Sequence, residues 1–236
     1  QYRMHPILGD FISRNFYEKD GVKIKSGLSA TQFAHSLPGI ENKAMVWMDV
    51  QGKSGDYEHR EDGGGYCRKI EADKIAEYIC KVLKTESGNF LTIGIMSFYR
   101  KQIREIYKSL FEKQICKEDN NGRYVIKDEY KYITREDGTK IERFTIDTVD
   151  AFQGLEKDLV ILSMTRSNKP YKNKKDHFGF LKSENRLCVA LSRQKKCLII
   201  AGDSNMVKID KAEDSISALC DFYKICKKGG DEVAII

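Results

Sequence analysis

The chain has 236 residues, 41% of them hydrophobic and 32% charged, with three prolines, which is enough apolar side chain for one large or one-and-a-half globular domains. That composition excludes a disordered chain, and a net charge of +6, from 41 Lys and Arg against 35 Asp and Glu, permits a nucleic-acid partner without demanding one. Cys67, Cys80, Cys116, Cys188, Cys197, Cys220 and Cys226 form no CxxC pair, which reads as buried reduced thiols in a cytoplasmic or nuclear protein with no zinc or other metal site; no apolar run approaches membrane-spanning length.

The first residue is not methionine and no signal peptide precedes it, so the expectation is a fragment of a longer polypeptide, spanning 1–236 as one domain. Gln1 to Pro6 reads as the end of a connection, and Ile7 to Phe16 as a helix with Leu8, Phe11, Ile12 and Phe16 on one face. Tyr17 to Lys43 is irregular and polar, and Ala44 to Val50 is a short strand holding the only tryptophan. Gln51 to Gly65 reads as a flexible loop; its three glycines at 63 to 65 lack the Gly-Lys-Ser/Thr ending of a phosphate loop.

Tyr66 to Lys84 carries Ile70, Ile75, Ile79, Val82 and Leu83 at helical spacing, with Ala72 and Ala76 between them and charges opposite. Thr92 to Phe98 is a strand, and Tyr99 to Cys116 a helix with Ile103, Ile106, Leu110 and Phe111 inward. Ser97 at that strand end reads as a helix N-cap, a role that can coexist with ligand binding. This rhythm of strand, crossover helix and strand requires a mostly parallel sheet in an α/β fold.

Residues 117–143 read as a charged insertion, a hairpin or mobile arm built on Arg123 to Lys127 and Tyr130 to Arg135 with a turn at Asp137-Gly138. Its Tyr124, Tyr130 and Tyr132 among basic residues could stack on a single strand, or the arm could be a solvated excursion. Phe144 to Val149 returns to the sheet. Gly154 follows, where positive φ permits a sharp turn and close approach to a ligand, though such a glycine also marks plain bends. After the strand Leu159 to Met164, the run Arg166 to Lys182 is basic, with Lys169, Lys172, Lys174 and Lys175 and the aromatics Tyr171, Phe178 and Phe180; it suits either phosphate neutralisation or a mobile loop. Glu184 to Ser192 is a helix burying Leu187, Val189, Ala190 and Leu191, with Arg193 at its end. Leu198 to Gly202 is the last strand, Asp214 to Cys226 a closing helix, and the tail from Gly229 reads as frayed. The strand ends, the glycine turn, Glu156 and Arg193 are expected together at the carboxyl edge of the sheet, where α/β folds bind ligands.

Four segments in order, QYRMHP from Gln1, IGIMSFYRKQ from Ile93, VDAFQGLEKD from Val149 and RLCVALSRQK from Arg186, resemble the superfamily 1 helicases of the up-frameshift type. That group includes the nonsense-mediated decay helicase, the senataxin-like proteins and many bacterial relatives. The resemblance covers nearly the whole chain and implies the second RecA-like motor domain, a three-layer α/β/α fold. It implies that Arg3 reaches nucleotide phosphate, that Arg193 is the arginine finger, and that Gln153, Gly154 and Glu156 face the nucleotide. Lys195 stands where the family has a second arginine, and a lysine lacks the guanidinium fork. By the same resemblance Ser97, Tyr99, Gln102, Thr148 and Val149 lie on the nucleic-acid side, with Phe98 in place of the family's proline.

No G-x-x-x-x-G-K-[S/T] phosphate loop occurs, and Asp128-Glu129 does not end an apolar strand as a magnesium-binding acid would. The expectation is a domain inactive alone, with ATP and Mg bound mainly by an upstream RecA-like domain and single-stranded DNA or RNA as the polymeric ligand. A non-catalytic nucleic-acid or protein-binding module keeping the motor fold is the rival reading, and a motor fused to a nuclease a third.

Overall fold

Apolar residues alternate along each long strand of the computed structural model, and that alternation divides the interior into two cores on opposite faces of one sheet. The structure describes residues 1–53, 55–60, 64–85, 90–135, 137–167, 169 and 177–236. In chain order the elements are α1 (Pro6–Ile12), β1 (Met45–Asp49), β2 (His59–Arg60), β3 (Tyr66–Cys67), α2 (Lys69–Leu83), β4 (Ile93–Ser97), α3 (Arg100–Glu112), β5 (Cys116–Glu118), β6 (Tyr124–Ile126), α4 (Asp128–Lys131), β7 (Tyr132–Thr134), β8 (Lys140–Glu142), β9 (Phe144–Thr148), β10 (Lys157–Ser163), α5 (Glu184–Ala190), β11 (Gln194–Gly202), α6 (Ala212–Lys228) and β12 (Val233–Ile235). Helix α1 runs on into a π-helical turn, Ser13–Tyr17, which carries the buried Phe16.

Six strands form the sheet in the order β12-β1-β11-β10-β4-β9, and every neighbouring pair is parallel. Central strands buried on both faces explain the continuous runs IGIM and LVIL. On β10, Leu159 and Ile161 join the core under α2 and α3, while Val160 and Leu162 join the core under α1, α5 and α6. Helices therefore cover both faces, as the α/β/α expectation required.

Residues 117–143 form two antiparallel hairpins, β5 with β6 and β7 with β8, joined by α4. Phe111, expected inward, is instead 41% exposed and stacks on Tyr124 of the first hairpin, with ring centroids 4.7 Å apart. Val189 is only half-buried. The tail after Gly229 is not frayed through its length, because Val233–Ile235 closes the sheet as an edge strand with Trp47 opposite Ile235. The stretch read as a flexible loop holds β2 and a wholly buried Glu58, while Gly63 lies outside the described residues; β2 pairs with β3 at the start of the stretch read as helix, which becomes helical only from Lys69.

Candidate functional site

Strand direction divides the residues singled out in the sequence between two opposite edges of the sheet. Glu156 immediately precedes the first residue of β10, and Arg193 the first residue of β11, so both lie at the amino edge. This corrects the carboxyl-edge expectation for Glu156 and Arg193. The strand-end residues, Ser97 on β4 and Thr148 on β9, do stand at the carboxyl edge, paired in register.

At the amino edge the opening segment lies against β11, its His5 N–H donating to the Lys195 carbonyl at 2.9 Å. The Gln1 side-chain oxygen accepts from the Arg3 and Met4 N–H groups at 2.9 and 3.0 Å, closing a turn that buries Met4 and leaves Arg3 half-exposed. Arg3 Nε then lies 3.2 Å from one Glu156 oxygen, and Lys195 Nζ 3.7 Å from the other. Arg193 is held from its own helix, Nε donating to the Val189 carbonyl at 3.1 Å and Nη2 to Ser192 Oγ at 2.8 Å. Burial, and then the neighbouring Arg3, depress the Arg193 pKa. Two cations, Arg3 and Lys195, thus share one carboxylate, with Arg193 held beside them by its own helix. At this exposure such pairs are worth roughly 0–1 kcal/mol and open readily, so the cluster fits a phosphate-bearing ligand that would relieve its excess positive charge.

Between the edges runs a short crossover over β4. Val149 and Phe152 are buried, while Gln153, Gly154 and Glu156 are exposed. Gly154 takes φ +85°, the left-handed turn expected of it, and sends the chain into β10. Gly94 of β4 makes room below: a Cβ there would meet Phe152 Cε1 at 2.9 Å. Arg186 of α5 pins the crossover through Asp150 at 3.0 Å.

At the carboxyl edge, Val149, Ser97, Tyr99 and Gln102 are all buried, and Thr148 is half-buried. The Ser97 hydroxyl meets that of Thr165 at 2.9 Å and accepts from the Tyr99 N–H at 3.3 Å, so Tyr99 rather than Ser97 is the N-cap residue of α3. Gln102 accepts from the Arg68 N–H at 2.7 Å and donates to Ser163 Oγ at 3.0 Å.

Beneath these residues lies a buried charged network that sequence reasoning missed. Arg68 Nη1 is 3.2 Å from Glu71, both fully buried, and Glu71 also accepts from the Thr165 N–H at 2.8 Å and from the Ser163 hydroxyl. Burial pushes the Glu71 carboxyl up, against the pull of Arg68. Glu58 pairs with Arg166 at 3.2 Å and accepts from the Ser167 N–H at 3.1 Å. The Arg166 guanidinium lies 4.2 Å over the Tyr66 ring. Arg166 is therefore no member of a solvated basic loop. Tyr171, Lys172, Lys174 and Lys175 of that run lie outside the described residues. The one sequence signal for the network was the i, i+3 pair Arg68 and Glu71 at a helix start; Glu58 and Arg166 lie 108 positions apart and give none.

Among the described residues, no group of three or more His, Cys, Asp or Glu is placed to hold a metal ion, and no helix is long and apolar enough to cross a membrane. A family model described as an AAA domain matches residues 1–205. The chain is similar to a regulator of nonsense transcripts 1 homolog of Neurospora crassa, 29% identical over 212 residues, covering 88% of this chain and 16% of that one. It is also similar to the ATP-dependent helicase NAM7 of Saccharomyces cerevisiae, 31% identical over 207 residues, 86% of this chain and 18% of that one. Similarity to the DNA polymerase alpha-associated DNA helicase A of the same yeast is 28% over 222 residues, 88% of this chain and 27% of that one. The chain therefore spans between about a sixth and a quarter of the length of these relatives.

Proposed function

The chain belongs to the superfamily 1 helicases of the up-frameshift type, and from that premise we propose that it is the second motor domain of an ATP-dependent helicase or translocase acting on single-stranded DNA or RNA. The observation that carries the reading is the pairing of Arg3 and Lys195 with Glu156 at the same amino edge where Arg193 stands just before β11, its pKa depressed by burial and then by the neighbouring Arg3. ATP and magnesium are bound mainly by a preceding RecA-like domain, which presents the phosphates to this edge. Arg3 and Arg193, always charged and able to fork onto phosphate oxygens, stabilise charge developing on the transferred phosphoryl group. Glu156 holds Arg3 and Lys195 in place and offers an acceptor to ribose hydroxyls, while Gln153 and Gly154 shape the same edge. Thr148, half-buried at the opposite edge, contacts the strand backbone, with the buried Ser97, Val149, Tyr99 and Gln102 packed behind it.

The crossover from Thr148 to Glu156 gives the two edges a physical connection. Its Phe152 is packed over Gly94 and its Asp150 pairs with Arg186 of α5 at the surface, so the buried Phe152 contact is the part of the crossover that can couple the two ends. The domain lacks a phosphate loop and is inactive alone.

The test is ATP hydrolysis by the polypeptide containing both motor domains, with and without single-stranded DNA and RNA, beside Arg193→Ala. Strand-stimulated turnover that falls by ~10³ or more in a folded Arg193→Ala variant supports the reading. No turnover in the wild type, or equal turnover in the variant, favours a binding module that keeps the motor fold without catalysis.

A further inference from the structure

A cleft of about 600 Å³ opens where the segments leaving the carboxyl ends of β10 and β11 meet, and Lys182, Lys208 and Lys211 line it against a single carboxylate, Asp210. All three lysines are exposed. Lys208 is steadied by Ser204 Oγ at 3.1 Å and lies over the Tyr223 ring. Lys211 takes φ +65° at the start of α6, a conformation unfavourable for a lysine that turns the chain sharply at the cleft wall.

Phe180 stands two residues before Lys182, in the same 3₁₀ turn, Gly179–Lys182. It is a phenylalanine 48% exposed, yet its surroundings are built. Its ring lies 5.2 Å from Tyr99, with the Arg186 guanidinium 5.0 Å over it, and its N–H donates to the Tyr99 hydroxyl at 3.3 Å. A mounted, half-exposed aromatic ring two residues along the chain from a lysine of the cleft wall is a combination that can bind single strands, a base stacking on the ring while ammonium groups neutralise phosphates.

Resting on the motor reading above, we propose that Phe180 and the Lys182, Lys208 and Lys211 cleft form a single-strand subsite that continues the track from Thr148 and Ser97 across the carboxyl edge, Phe180 taking a base and the lysines taking phosphates. The order β11-β10-β4-β9 makes that track three strand spacings wide, about 14 Å. Its ligand is a phosphodiester strand of either sugar. An acidic protein segment would use the lysines and leave Phe180 idle.

The test is fluorescence anisotropy with labelled oligo-dT and oligo-U over a salt series, comparing wild type, Lys182→Ala/Lys211→Ala and Phe180→Ala, each first shown to keep the wild-type urea midpoint. The double lysine variant is expected to flatten the slope of log K on log salt by about 1.4, at about 0.7 for each phosphate that is no longer neutralised. Phe180→Ala is expected to weaken binding on the order of tenfold with the slope unchanged, and Phe180→Trp to bind like wild type. Wild-type binding that neither the lysine nor the Phe180 substitutions alter overturns the subsite and leaves the motor reading standing. Competition by poly-glutamate as effective as by oligonucleotide also overturns it, in favour of an acidic protein partner. Wild type that binds no strand overturns the subsite and the strand-binding part of the motor reading together.

Discussion

Arg3 Nε lies 3.2 Å from the Glu156 carboxylate, and this contact ties the opening segment to the turn before β10. The two side chains are 35% and 38% exposed, so the pair adds at most about 1 kcal/mol to stability. Its expected consequence is positional. Glu156→Gln should shift the unfolding free energy in urea by less than about 1 kcal/mol, while loss of the anchor for Arg3 lowers strand-stimulated turnover by about ten- to a hundredfold in the two-domain polypeptide. Turnover within twofold of wild type would remove Glu156 from the proposed site.

The Glu58 and Arg166 pair is a different case because both side chains are at most 1% exposed. Removing one partner leaves an unpaired charge in the interior, so Glu58→Ala is expected to destabilise the fold by about 3–5 kcal/mol. Replacing both partners with apolar residues should recover much of that loss, since the desolvation cost of the ions disappears with them. Urea unfolding of Glu58→Ala and of Glu58→Leu/Arg166→Leu measures both. A single substitution costing under about 1 kcal/mol would mean that water reaches the pair.

What sequence could and could not reveal follows from the range of each interaction. Runs such as Ile93 to Ser97 and Leu159 to Ser163 declare buried strands because both faces are apolar, and the spacing of Ile75, Ile79 and Val82 declares one helix face. Glu71 lies on that same face, one helical turn before Ile75, and reads as surface charge until Ser163 and Thr165, more than 90 residues on, come to it. β12 is three residues long after a double glycine, too short to carry a pattern, and exists because β1 offers it an open edge. The amino-edge placement of Glu156 and Arg193 was implicit in their positions just before strands. The general preference of α/β folds for ligands at carboxyl ends points the other way, and of the residues expected at that edge it is the strand-end pair Ser97 and Thr148 that stands there.

Gly94 offers a test of the crossover. Alanine there would put its Cβ 2.9 Å from the Phe152 ring, within a fully buried contact that cannot open without moving the crossover. Gly94→Ala is expected to cost about 1–3 kcal/mol by overpacking. Phe152→Leu also destabilises alone, but in combination it relieves the clash, so the double variant should be more stable than the sum of the single losses by at least about 0.5 kcal/mol. Strict additivity in urea melts would show that the two residues do not press on each other.

His35 should impose a pH dependence whose sign follows from its partners. The Leu37 N–H donates to Nδ1 at 3.3 Å, and Nε2 faces the Lys43 carbonyl at 3.0 Å, so the neutral ring with its proton on Nε2 satisfies both contacts. Protonating Nδ1 would turn an acceptor into a second donor facing an N–H. Burial accordingly pushes the folded pKa below the ordinary 6.5, outweighing the Lys43 carbonyl, which acts the other way. Below 6.5 the unfolded chain then binds more protons at this site than the folded one, so stability is fully present above that pH and is lost as pH falls from 6.5 towards the lowered folded value. His5, lowered mainly by burial, works in the same direction, while Glu71, raised by burial, favours the folded state at low pH. The comparison must therefore be a difference: across pH 7 to 5, the unfolding free energy of His35→Gln from urea melts should fall less steeply than that of wild type, by up to about 1.4 kcal/mol per pH unit in the steepest part of the window. Parallel pH profiles for the two proteins would show that His35 titrates alike in the folded and unfolded chains.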